Sequence, residues 1–276
     1  MTPYACRMSP SPGPRQPRAW HDEPVSIVIP ARLLRVEIVV VLALSLGRSA
    51  VYAILALVEA MVRGPLAEQS VALNASASEM PWADLVRQLL GIVFTLAPVA
   101  LAVLLLALTA GSVRAALADL GLDLAAPLCD ALTGLALAAG IGLPGLAVYA
   151  AGRAIGATVE VVPAALAEHW WTVPVLVLQA VKNAVVEEVI AVGYLSRRLE
   201  ALGWGPGRII LASALLRGAY HLYQGIGPGI ANAVMGVVFA AWFRRTGRTM
   251  PLVIAHTLLD VVAFVGYAVL KDVISL

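Results

Sequence analysis

The stretch Asn183-Ala-Val-Val-Glu187-Glu188-Val-Ile-Ala-Val-Gly193-Tyr194-Leu195 sets two adjacent carboxylates inside a largely apolar run that begins at Thr172. An ionised side chain at the centre of a bilayer costs about 2.5–3.5 kcal/mol on insertion scales. A pair of acids held there marks a functional site by default, and the question becomes which other side chains meet it.

The composition makes the bilayer the right frame. The chain is 61% hydrophobic and 13% charged, with mean hydropathy +0.88, against about 45–50% and about 25% for soluble domains. It reads as an integral membrane protein, an all-α polytopic transmembrane bundle with the site in its core. A net charge of +2 is too small to mark nucleic-acid binding. Cys6 and Cys129 supply no metal-ligand spacing.

Outward from the acidic pair, residues 1–33 read as a disordered cytoplasmic tail rather than a signal peptide. They scatter prolines and arginines and hold no apolar core before a cleavage site. A span needs about 20 apolar residues. Seven are expected, at about 36–62, 86–110, 130–152, 172–196, 208–222, 229–243 and 250–270. An eighth, peripheral helix is expected in 153–168, giving seven to eight in all. Residues 34–170 then form N-terminal transmembrane helices and 171–276 the functional core. With the tail inside, twelve arginines fall on the cytoplasmic side and four basic residues on the far side, which favours a cytoplasmic N-terminus. Trp82, Trp170, Trp171 and Trp242 fall at span ends, at headgroup level.

The polar groups of the last four spans recur at a spacing of four. Gln179, Asn183 and Glu187 share one helical face, with Glu188 turned by about 100°. Arg217 and His221 form a second such pair, and His256 and Asp260 a third; Asn232 stands alone on the sixth span. Depths counted at about 1.5 Å per residue put Glu187, His221 and His256 roughly 15, 20 and 10 Å from the cytoplasmic ends. Three helices thus bring them to one layer, within reach of the cytoplasmic face, as bundle-core sites are built.

Acids and imidazoles so gathered are a hydrolase inventory. Glu187 is placed to draw a proton from water, His221 to orient that water, and His256 with Asp260 to hold an oxyanion or a metal. Plainer roles compete residue by residue. An intramembrane histidine also serves as a packing hydrogen-bonder, and a glutamate pair as a proton relay. Gln179, Asn183 and Asn232 read as packing groups, Lys182 as the partner of a nearby carboxylate, and Arg48 as snorkelled or bridged.

The order Glu187-Glu188, then Leu216-Arg217-Gly218-Ala219-Tyr220-His221, then His256-Thr-Leu-Leu-Asp260 resembles the CPBP family of CAAX-processing and bacteriocin-processing intramembrane proteases. The resemblance covers about Gln179 to Tyr267. It implies that Glu187 activates water, Glu188 supports it, His221 is the second-motif histidine, and His256 with Asp260 forms the oxyanion site. Relatives have been assigned both glutamate-only and metal-dependent mechanisms, so it implies either no cofactor or a Zn²⁺ held by Glu187, His221, His256 and Asp260. It also implies a membrane-associated protein or peptide substrate; the expected location is the plasma membrane.

Three positions depart from the family pattern: Val192 where an arginine is usual, Arg217 where a phenylalanine is usual, and Asp260 where asparagine is frequent. An arginine at 192 could pair with Glu188 along the helix; its loss leaves a buried acid uncompensated. Arg217 is expected to supply that charge from the neighbouring helix, so that Val192→Arg with Arg217→Phe would restore function. An ionised Asp260 accepts hydrogen bonds only, which makes His256 the main oxyanion donor and Asp260 its orienter or a protonated donor. Two non-proteolytic readings remain: a non-catalytic scaffold or immunity factor of the same fold, and a proton-coupled transporter. Absence of a visible internal repeat counts against the last.

Overall fold

The computed structural model describes residues 29–270. Most of the expected tail lies outside these residues, but its last part is helical: α1 (Ala31–Ala43) starts directly after Pro30. A break at Leu44–Ser45 turns the chain by 55° into α2 (Leu46–Arg63). Beyond β1 (Ser70–Ala72) come α3 (Pro81–Ala110), α4 (Val113–Asp119) and α5 (Pro127–Ala154), then β2 (Glu160–Val162) and α6 (Thr172–Glu187). A π-helical segment, Glu188–Tyr194, runs without a break into α7 (Leu195–Ala201). The chain closes with α8 (Pro206–Tyr220), α9 (Ile226–Thr246) and α10 (Met250–Leu270).

Local chemistry sets several of these limits. Pro81, Pro127 and Pro206 occupy first-turn positions, where the missing N–H costs nothing. Gly111 and Gly247 close α3 and α9 in the left-handed region. The side chain of Ser112 caps α4 by accepting from the Ala115 N–H.

The helical bundle expected from the sequence is present. By length and apolarity, α3, α5, α9 and α10 can each cross a membrane, and the bent α1–α2 pair makes a fifth crossing if counted as one. The expected seven to eight spans exceed this count. The expected fifth span is α8, with only 15 residues, and the fourth runs through α6, the π segment and the start of α7. Residues 153–168 form no peripheral helix beyond the end of α5. They carry β2, which pairs in parallel with β1 in the register Ser70↔Glu160, Val71↔Val161, Ala72↔Val162. Gly and Pro there favour extended chain over a helix.

The bundle therefore has two unlike ends. One gathers 119–123, 197–200 and 244–248: Arg197 donates to the Asp119 carbonyl, Arg244 pairs with Glu200, and Arg248 bridges Asp123 and Asp130. The other carries the β1–β2 ladder, with Asn74 donating to the Pro163 carbonyl and Gly225 bridged to Thr158. Between them, Val189, Ile190, Ala191 and Tyr194 pack on Val41, Leu106 and Leu120. Phe239, Phe243, Leu252 and Val192 form a second apolar cluster. Apolar side chains such as Tyr52, Phe94, Leu143 and Leu146 face outward, as a lipid-facing surface requires.

Candidate active site

α6 presents Glu187 at its last turn with Asn183 one turn earlier, on the same face. The helix then widens into the π segment, a deviation frequent at functional sites. Ser213 on α8 helps to hold it there, donating to the Ala191 carbonyl at 2.7 Å. Glu187 and Glu188 diverge as the spacing requires. Glu187 faces a cavity, whereas Glu188 is fully buried against α8 and α10.

Close approach of α8 and α9 is built on small residues. A Cβ on Gly236 would lie 2.8 Å from Ala214 Cα, and one on Gly218 would lie 2.9 Å from Ala233 Cβ. That approach seats Arg217, fully buried, with its guanidinium over the Phe239 ring. Arg217 Nη2 donates to Glu188 Oε1, and its Nη1 lies 3.8 Å from Glu187 Oε2. His256 Nδ1 meets the same Glu188 oxygen at 2.6 Å.

The hydrogen-bond partners fix several orientations. Tyr220 Oη donates to Glu187 Oε2 at 2.9 Å. His221 Nδ1 lies 3.0 Å from the Arg217 carbonyl; a carbonyl only accepts, so Nδ1 carries the proton and Nε2 is left with a lone pair when the ring is neutral. His256 Nε2 lies 3.9 Å from Glu187 Oε2 and 3.7 Å from Asp260 Oδ1. Both nitrogens of that ring thus face carboxylate oxygens, the setting of a double donor. Asp260 Oδ2 accepts from Asn183 Nδ2 at 3.1 Å.

Glu187, His221, His256 and Asp260 line one cavity of about 260 Å³, together with Asn183, Lys182 and Tyr223. A second cavity, about 540 Å³, shares Lys182, Asn183, Glu187, His221 and Tyr223, and extends between α2 and α3 past Arg48 and Phe94. Lys182 makes no ion pair within 4 Å among the described residues, although Glu187 and Asp260 act on its charge. Depth counting put the site within reach of the arginine-rich end. The first cavity is instead lined by Leu73, Asn74 and Ala75, from the β-ladder end. α8 is too short to cross, so His221 sits at its far terminus, beside the ladder.

Asn232 does not join the site; its amide donates to the Pro228 carbonyl of its own helix. Tyr220 and Asn183, read from the sequence only as a motif neighbour and a packing group, do join it. Their signal was adjacency to His221 and the four-residue step to Glu187.

As ligands for a metal, Glu187, Glu188 and His256 offer donor atoms within 4.8 Å of one another, and neither His221 nor Asp260 belongs to that group. The shared oxygen Glu188 Oε1 already accepts from Arg217 and meets His256. A dication there would face a buried guanidinium, so this donor set does not suit Zn²⁺.

Residues 169–262 match the family model described as type II CAAX prenyl endopeptidase Rce1-like. This segment is similar to that family. No curated protein and no solved structure matches the chain. The matched segment contains the acidic pair, Arg217, Tyr220 and the three other candidate site residues, His221, His256 and Asp260. The match supports an intramembrane endopeptidase in general terms, and the apolar helices agree with a membrane location.

Proposed function

We propose that the protein hydrolyses a peptide bond of a membrane-associated protein or peptide with water activated by Glu187. The observation that carries this is the single cavity shared by Glu187, His221, His256 and Asp260. Glu187 takes a proton from water as the oxygen attacks the scissile carbonyl carbon, then delivers that proton to the leaving nitrogen. Tyr220 holds one carboxylate oxygen of the base. His221, anchored through Nδ1, offers Nε2 to orient the water. His256 is the main oxyanion donor, with Glu188 holding one ring nitrogen and Asp260 beside the other.

No metal takes part in this scheme, because the Arg217 guanidinium already occupies the carboxylate that a cation would need. The Arg217–Glu188 pair also bears on the scaffold reading. The usual arginine at 192 is missing, but its charge is supplied from α8, as continued function would demand. The N-terminus is cytoplasmic in this reading, on the asymmetry of basic residues.

The test is the purified protein in proteoliposomes with a membrane-anchored fluorogenic peptide, the products read by mass spectrometry. Cleavage that is abolished by Glu187→Gln and resists chelation is expected. Cleavage that a chelator stops and zinc restores would overturn the metal-free mechanism, and a Glu187→Gln protein that still cuts would overturn the base.

A further inference from the structure

We propose that the side-chain amide of Asn183 is a catalytic oxyanion donor, held in position by Asp260. This role rests on the hydrolytic reading above and adds a residue to it. Asn183 precedes Glu187 by one turn of α6, so the two side chains are neighbours on one face. Both line both cavities. A carbonyl attacked by water at Glu187 therefore lies beside the Asn183 amide.

Asp260 orients that amide. An ionised carboxylate only accepts, so the nitrogen end of Asn183 faces Asp260 Oδ2, at 3.1 Å. The nitrogen carries two hydrogens. Asp260 takes one, and no described residue takes the other. Asp260 itself offers the oxyanion nothing, and its second oxygen stands toward His256 Nε2. The pair works as a unit: the acid supplies the acceptor that fixes the amide, and the amide supplies the donor that the acid lacks.

Other amides on the cavity are less well placed. Gln179 is two turns before Glu187, about 12 Å along the axis, and donates to Gln88. Gln88 donates to the Ala75 carbonyl, and Asn74 to that of Pro163. Gln224 donates to the Tyr223 hydroxyl at 2.9 Å. That hydroxyl keeps its own proton, which makes Tyr223 a competing donor.

In the reaction, the water C–O bond forms as Glu187 accepts the water proton, and the carbonyl π pair moves onto its oxygen. The Asn183 N–H and His256 stabilise this oxyanion without transferring a proton to it. The pair returns as the C–N bond breaks, and Glu187 protonates the leaving nitrogen.

The test uses the full chain in proteoliposomes with the same anchored peptide. Removing one oxyanion donor lowers kcat by about 10²–10³. Asn183→Ala should show that loss with KM within about threefold of wild type, and Tyr223→Phe should change kcat less than about threefold. A donor restored at position 260 separates catalysis from mere support of Asp260: N183A/D260N and the exchange N183D/D260N should each regain at least about tenfold over N183A. An Asn183→Ala protein within threefold of wild type overturns the assignment. So do double variants no better than the single in proteins that melt like wild type, or a large loss confined to Tyr223→Phe. Cleavage untouched by Glu187→Gln would instead bring down the hydrolytic reading, and the Asn183 role with it.

Discussion

Arg217 is the side chain whose removal the structure prices most clearly. It is fully buried, and so is its partner Glu188. Replacing Arg217 with methionine keeps much of the volume between Gly236 and the Phe239 ring but removes the charge. Breaking one side of a buried pair leaves an uncompensated charge and costs about 3–5 kcal/mol, a large part of the roughly 5–15 kcal/mol that holds a domain folded. At about 2–4 °C per kcal/mol for a chain of this size, thermal unfolding in detergent should fall by about 10 °C. Glu188→Gln in the same protein removes the orphaned charge, while the amide oxygen can still accept from His256 Nδ1. E188Q/R217M should therefore melt well above R217M, with a coupling of about 2–3 kcal/mol in the double-mutant cycle. Additive losses, or an R217M protein that melts like wild type, would refute the ion-pair account of this core.

Val192→Arg places a guanidinium at a fully buried site among Phe239, Phe243 and Leu252. It should lower the melting temperature even beside Arg217→Phe, so the exchange expected from sequence to restore function should fail in the cleavage assay. Tyr220→Phe removes one hydrogen bond to Glu187, worth about 1.5 kcal/mol for a charged acceptor; kcat should fall about tenfold and the melting temperature by about 3–6 °C. Gly236→Ala and Gly218→Ala force Cβ contacts of 2.8–2.9 Å between α8 and α9. Each should cost about 1–3 kcal/mol, read by denaturation, with a matching loss of activity. Asp123 lies in the loop before α5. Burial works to raise its pKa, but the Ala125 N–H and Arg248 outweigh that and hold it below its ordinary 3.8. A lowered carboxylate pKa adds stability above the ordinary value, and that contribution fades as pH falls through the folded-state value. Wild type should thus lose its melting advantage over Asp123→Asn as pH drops below about 4, and equal differences at pH 3 and pH 7 would refute it.

Much of the site could be read along the chain because helical spacing is local. The four-residue steps from Asn183 to Glu187, Arg217 to His221 and His256 to Asp260 put each pair on one face before any tertiary contact is known. The Arg217–Glu188 pair could be anticipated because a buried acid demands a cation and few were available. What spacing could not reveal was how far each helix penetrates. α8 stops at Tyr220 and the acidic helix widens after Glu187, so depths counted from a common surface misplaced the cavity's lining. β1 and β2 were invisible for a similar reason: three-residue strands far apart in sequence leave no periodic trace.

Composition and periodicity alone pointed to a helical membrane protein, singled out Glu187, His221, His256 and Asp260 as the expected reactive inventory, and gave which residues share a helix face. They could do so because the bilayer penalises each polar group individually, so every one that survives there stands out. The tertiary structure alone decided that Tyr220 bonds Glu187, that Asn183 bonds Asp260, that Asn232 stays apart, and that the cavity lies toward the ladder. Those outcomes depend on how helices cross and where they end, and such relations arise between segments rather than within them.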